Sequence, residues 1–319
     1  MWSFLIVSTL AWGIAEIFYK KGNLEKEKYS HLKSTIFVGF FMGIYATIIL
    51  FTQGIDLKSF PINFLYYLPV ALCYIFSMIF SYFGVRFIEE SISDPIENSS
   101  IALVAILCAI FLHEEFTIPM IIAIILIVIG LISISVFDRR GKEDRNKKFG
   151  RKLAVFALAM PFCYLILDGV GTFLDIFYTN DVSSTILINV TEETIEHTAN
   201  CAYEFTFFFV SIVLFIFLKI KGEKLFVISS ENNDKNFIKK VFDQKWKILA
   251  AIFETIGQAT YLFALSSGEG VAAVILGAGT VIVSVILARI FLKEKLSILQ
   301  YGFILLIFAG IIILSLSGV

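Results

Sequence analysis

The chain has 319 residues, 58% of them hydrophobic and only 17% charged, with a formal net charge of −1. That balance excludes a basic nucleic-acid binder and a water-soluble globular domain. Its apolar residues come in long runs without period-two alternation, which excludes a porin-type barrel and leaves an all-α integral membrane protein.

Crossing a hydrocarbon core of roughly 30 Å takes about 20 helical residues. Ten runs are read as spans: 2–19, 34–52, 64–84, 99–112 and 118–137, then 153–177, 200–218, 248–265, 271–292 and 298–316. The fourth is short and is extended back to near Pro95, since proline is tolerated in a first helical turn. The first span has no positive n-region and no small-residue cleavage signature, so it reads as a retained helix.

Lysine and arginine orient these spans by the positive-inside bias. Of the 26 in the chain, 25 fall in or beside the connections after spans 1, 3, 5, 7 and 9, and only Lys58 lies opposite. The basic loops are therefore expected in the cytoplasm and both termini outside. The outer loop 180–198 carries Asp181, Glu192, Glu193 and Glu196 with no base, and holds a glycosylation sequon at Asn189.

The segment Phe111-Leu112-His113-Glu114 returns 180 residues later as Phe291-Leu292-Lys293-Glu294, and each copy precedes an apolar helix with a glycine at matching depth, Gly130 and Gly310. The chain thus reads as a duplication: a first five-helix repeat at 1–138, a basic linker at 139–152 and a second repeat at 153–319. Five is odd, so the second repeat enters the membrane from the opposite side. Such inverted repeats are a basis for alternating access.

Ten spans in two repeats, each with a Phe-Leu-x-Glu turn and then a glycine-bearing fifth helix, resemble the EamA branch of the drug/metabolite transporter (DMT) superfamily over essentially the whole chain. The resemblance implies a secondary active transporter, proton-coupled or facilitative, exporting amino acids, other metabolites or cationic drugs through a cavity lined by both repeats. One departure is the orientation, since ten-span relatives usually keep both termini in the cytoplasm. The single acid in the first helix also resembles the small multidrug-resistance members, which implies competing proton and cation binding at Glu16.

Ionisable groups inside a bilayer survive mainly where they face a polar cavity or a partner. Glu16 in span 1 and Asp168 in span 6 align when Trp12 is superposed on Tyr164, each acid one turn beyond an aromatic on the same face. Glu254, Gln258 and Tyr261 make a polar strip in span 8, and Glu204 lies in span 7. These eight residues are the expected substrate- and proton-binding set. For Glu16 the competing reading is pairing with Lys20 or snorkelling to the interface; for Glu254 it is a half-snorkelled structural acid. The Glu97-Asn98-Ser99-Ser100 stretch reads equally as a polar helix start or a binding element. Asp175 is taken as solvated, and Glu114 and Glu294 as acids favouring helix N-termini.

Carboxylates beside aromatic rings suit cations: a desolvated carboxylate exchanges a proton for an arriving cation, and each ring adds about 0.5–2 kcal/mol of cation–π attraction. Anionic cargo is disfavoured, because Arg289 is the one candidate intramembrane base and it sits near a span end. His31, His113 and His197 all fall in predicted loops, and no zinc or nucleotide-binding motif is present, so neither an enzyme nor a cofactor is expected. The four cysteines read as buried small hydrophobes. The reading is therefore a monomeric carrier of a small cationic or zwitterionic solute, exchanging it for protons in a bacterial plasma membrane, with the bilayer as its other partner and no nucleic acid. A membrane receptor or scaffold, or a channel without coupled transport, is the alternative. The receptor reading draws on the basic segment around Phe237-Ile238-Lys239-Lys240, which suits anionic lipid.

Overall fold

The computed structural model describes residues 2–113, 117–137, 146–179, 182–226, 236–266 and 271–316. The regular elements are helices: α1 Trp2–Gly22, α2 Ser30–Thr52, α3 Phe60–Gly84, α4 Glu90–Glu97, α5 Ser100–Phe111, α6 Ile118–Phe137, α7 Arg151–Thr179, α8 Ile195–Ile220, α9 Phe237–Asp243, α10 Lys245–Ser266, α11 Val271–Leu287 and α12 Ile298–Leu316. Among the described residues five segments are long and apolar enough to cross a membrane, namely α2, α3, α4 with α5, α7 and α8. Shorter apolar stretches lie at Ile118–Ser133, Gly279–Leu292 and Ile298–Leu314.

Two helices depart from the expected runs. The fourth starts at Glu90, before Pro95, and is broken at Asn98–Ser99 into α4 and α5. The α11 helix ends in a π-helical turn, Ala288–Leu292, closed by Lys293 in the left-handed region at φ 59°. His113, its equivalent in the first Phe-Leu-x-Glu turn, has φ 57°. The x position thus makes the same non-glycine left-handed bend in both copies. Glu114 lies outside the described residues.

Packing follows the duplication. The α1 helix lies against α10 and α3 against α7; α1 meets α11 as α7 meets α5; α3 meets α8 as α10 meets α2. Exchanging the halves turns each of these pairs into another, while α2–α8 and α6–α12 map onto themselves. The α6–α12 contact is reciprocal down to the residue. A Cβ on Gly130 would stand 2.5 Å from Ile307 Cγ1 and 3.1 Å from Phe303 O; one on Gly310 would stand 2.7 Å from Ile127 Cγ1 and 2.8 Å from Ala123 O. Two apolar cores flank this arrangement, one centred on α1, α2, α3, α8 and α10, the other on α4, α5, α6, α11 and α12.

The basic connections gather at one end of the bundle. There Glu27 is buried between Lys33 Nζ at 2.5 Å and Lys247 Nζ at 2.7 Å. Burial alone would push the Glu27 carboxyl up, but Lys247 and Lys33, by charge and by hydrogen bond, hold it below the usual carboxylate range. Arg86 closes the same loop by donating to the carbonyls of Leu24, Glu25, Glu27 and Lys28. At the other end Asn63 clamps Ile188 through both its backbone groups, and Asn189 Nδ2 donates to Asp56 at 3.1 Å. The connections after α2 and α7 therefore meet each other, as those after α1 and α3 do.

Candidate functional site

The close approach of α1 to α10 builds one wall. Gly257 leaves room for the Trp12 indole, since a Cβ there would stand 2.6 Å from both Cδ1 and Nε1, and Ser8 Oγ donates to Gly257 O at 2.9 Å. Trp12 packs on Tyr261 with ring centroids 5.5 Å apart. Glu254 is buried one turn before Gln258 and accepts a hydrogen bond from Tyr19 OH at 3.2 Å. The indole also lies beside this carboxylate, although Trp12 Nε1 has no partner in hydrogen-bonding geometry. Glu254 is therefore an interior acid and not a snorkelled one; Lys247, the nearest base before it in sequence, is committed to Glu27.

Glu16 stands one turn beyond Trp12 on α1. It does not pair with Lys20, whose ammonium donates to Val85 O at 2.6 Å and to Ile88 O at the end of α3. Its carboxylate lies within electrostatic range of those of Glu90, Asp94, Glu97 and Glu254. Three of these come from α4, where spacings of four and three residues place Glu90, Asp94 and Glu97 on one helical face.

That short helix is held by polar side chains. Asn98 Nδ2 donates to Asp94 Oδ1 at 2.9 Å, Ser284 Oγ donates to Asp94 from α11, and Ser93 Oγ donates to Glu97 at 2.7 Å. Its N-terminus is capped from the other half of the chain: Glu294 accepts the amides of Glu90 and Ser91, each at 3.0 Å, and the Ser91 hydroxyl at 2.6 Å. Glu294 thus serves a helix N-terminus as its chemistry suggests, but that of α4 and not of the helix that follows it. Glu97 closes α4, and Ser100, which opens α5, donates to Asp168 Oδ2 at 2.6 Å.

The walls meet at Tyr164. On α7, one turn before Asp168, it lies within electrostatic range of Asp168, Glu97, Glu16 and Glu254. Glu16, Tyr164, Asp168, Gln258 and Tyr261 are all partly exposed and not fully buried. Six of the eight expected residues are brought together here: Glu16, Trp12, Tyr164, Asp168, Glu254 and Tyr261. Gln258 turns aside to donate to Asn200 Oδ1 at 2.6 Å. Glu204 is fully buried on α8 beside Asn200, the acceptor of the Gln258 bond, although neither carboxylate oxygen has a partner in hydrogen-bonding geometry. Asp175 is not simply solvated, for Tyr67 OH donates to it at 2.7 Å.

The EamA-like transporter family model matches residues 2–136 and again residues 182–316. The chain belongs to the EamA-like transporter family. The doubled match agrees with the two copies of the Phe-Leu-x-Glu turn, and membership makes this an integral membrane protein of a transporter family. Twelve chains of solved structures match; one, described only as "Crystal structure of protein", is 13% identical with a TM-score of 0.53, covering 99% of this chain and 96% of its own. That likeness shows a shared fold alone. No curated protein matches the chain at a significant level.

Proposed function

We propose that this EamA-family chain is a secondary active carrier that exchanges a small cationic or zwitterionic organic solute for protons. Its ten helical passes form two inverted five-helix repeats, 1–138 and 153–319, and it acts as a monomer because both repeats are present. The observation that carries the reading is the gathering of Glu16, Glu97, Asp168 and Glu254 within electrostatic range of Tyr164, with Asp168 tied to α5 by Ser100 and Glu254 held by Tyr19. Among the described residues, the base beside this acid set is Lys20, near Glu90, and its ammonium is bound to main-chain carbonyls. Carboxylates crowded in an apolar bundle need protons or cations to balance them, and a solute cation that displaces protons meets that need. Trp12, Tyr164 and Tyr261 supply the aromatic faces that hold such a cation.

Alternating access is supported by the packing, in which exchange of the halves reproduces the helix contacts, and by the acid-bearing α4, a discontinuous helix of the kind that forms carrier sites. The bases at one end support a cytoplasmic position for that end, with the termini outside. Export is the proposed direction, following the resemblance to exporters. Charge movement on a solid-supported membrane, with a panel of amines, amino acids and cationic dyes, tests the reading. Saturable, pH-dependent currents lost in Glu16→Gln or Asp168→Asn support it; conductance without saturation sinks it.

A further inference from the structure

We propose that the basic end of the bundle carries a binding site for the phosphodiester headgroup of an anionic phospholipid, formed where Lys21 of α1 and Lys245 of α10 converge on Trp246. The Lys21 ammonium stands 4.8 Å from the centroid of the Trp246 ring and the Lys245 ammonium 5.1 Å from it. The same two groups touch further rings, Phe291 at 5.4 Å from Lys21 and Phe242 at 4.3 Å from Lys245.

Neighbouring bases at this end are already committed. Lys33 and Lys247 share Glu27, while Lys20 and Arg86 donate to main-chain carbonyls. Among the described residues Lys21 and Lys245 have ring contacts and no ion pair with a carboxylate, so two ammonium groups approach one indole without an acid between them. An anion bound by the two ammonium groups would balance their charge.

The surroundings identify the anion as a lipid's. Ile238 and Phe242 lie four residues apart, one turn, on the surface helix α9, and are 80% and 63% exposed; Phe291 is 57% exposed. Apolar side chains projecting beside lysines and a tryptophan at the end of a membrane bundle match a headgroup above and acyl chains below. A soluble phosphate would use the lysines and leave these side chains in water.

The test uses the full chain in phosphatidylcholine vesicles, with Trp2→Phe and Trp12→Phe so that Trp246 alone reports. Brominated phosphatidylglycerol is expected to quench Trp246 at lower mole fraction than brominated phosphatidylcholine, by roughly fivefold in relative affinity for each lysine. Lys21→Gln with Lys245→Gln should bring the two lipids to parity, and the double arginine variant should keep the preference, which separates charge from folding. Equal quenching by both lipids in the parental protein, or a preference that survives the glutamines, overturns the site. If dissolved glycerol phosphate abolishes the preference, the site reads a soluble phosphate and the lipid assignment falls.

Discussion

Glu294 and Ser91 are 203 residues apart in sequence, yet the Glu294 carboxylate takes both the Ser91 amide, at 3.0 Å, and its hydroxyl, at 2.6 Å. The repeated turn of the second half therefore fixes the start of the acid-bearing helix of the first half. Replacing Glu294 with Ala removes a charged cap worth about 1–2 kcal/mol. Thermal unfolding in detergent should fall accordingly. Solute affinity should fall with it, because Glu90, Asp94 and Glu97 lose their register. Glu294→Gln, which keeps an acceptor, should lie between the two.

The Glu27 cluster predicts an acid-labile basic end. Its folded-state carboxyl is held low, so the stability it contributes is present above the unfolded value of about 4.3 and is lost as pH falls through the lower folded value. Unfolding followed from pH 7 downward should show this loss in the parental protein and not in Glu27→Gln. That variant strands two buried ammonium groups and should cost about 3–5 kcal/mol at neutral pH. Lys247→Met leaves Glu27 with Lys33 and should cost less.

The α6–α12 contact predicts unequal effects from equivalent glycines. At Gly130 the nearest obstacle to a Cβ is the side chain of Ile307, which can shift; at Gly310 the backbone oxygen of Ala123 stands at 2.8 Å and cannot shift cheaply. Gly310→Ala should therefore destabilise more than Gly130→Ala, within the roughly 1–3 kcal/mol range of overpacking. Melting temperatures of the two variants decide it.

Lys293 occupies the left-handed region at φ 59°. A β-branched residue is poorly tolerated there, so Lys293→Val should lose about 1–2 kcal/mol, whereas Lys293→Gly should be neutral or stabilising. Denaturation of the two variants beside the parental chain measures this. A valine without cost would show that the bend is not held.

Much of this was legible because apolar runs, basic loops and a repeated tetrapeptide each carry physical meaning on their own. The pairing of Trp12 with Glu16 and of Tyr164 with Asp168 rests on one-turn spacing, and Tyr164 lies within electrostatic range of both acids. What escaped was Glu90 and Asp94. The stretch from Arg86 to Asp94 is polar and precedes the expected helix start near Pro95, yet the acids at 90, 94 and 97 and the isoleucines at 88, 92 and 96 follow helical periods. The cap from Glu294 was beyond sequence reasoning, because it joins residues far apart that no local pattern links. Spacing alone puts Gln258 on the polar strip of α10, and its bond to Asn200 of α8 is a partner that no local pattern indicates.

The most direct test of the central claim is proton release on solute binding, measured with a pH indicator on purified protein in weakly buffered detergent. Adding a tight-binding organic cation, such as a tetraarylphosphonium, should release protons from the parental chain, fewer from Glu16→Gln or Asp168→Asn, and fewest from the double variant. Saturable binding of the cation with no proton release would contradict the exchange of solute for protons at the Tyr164 acids.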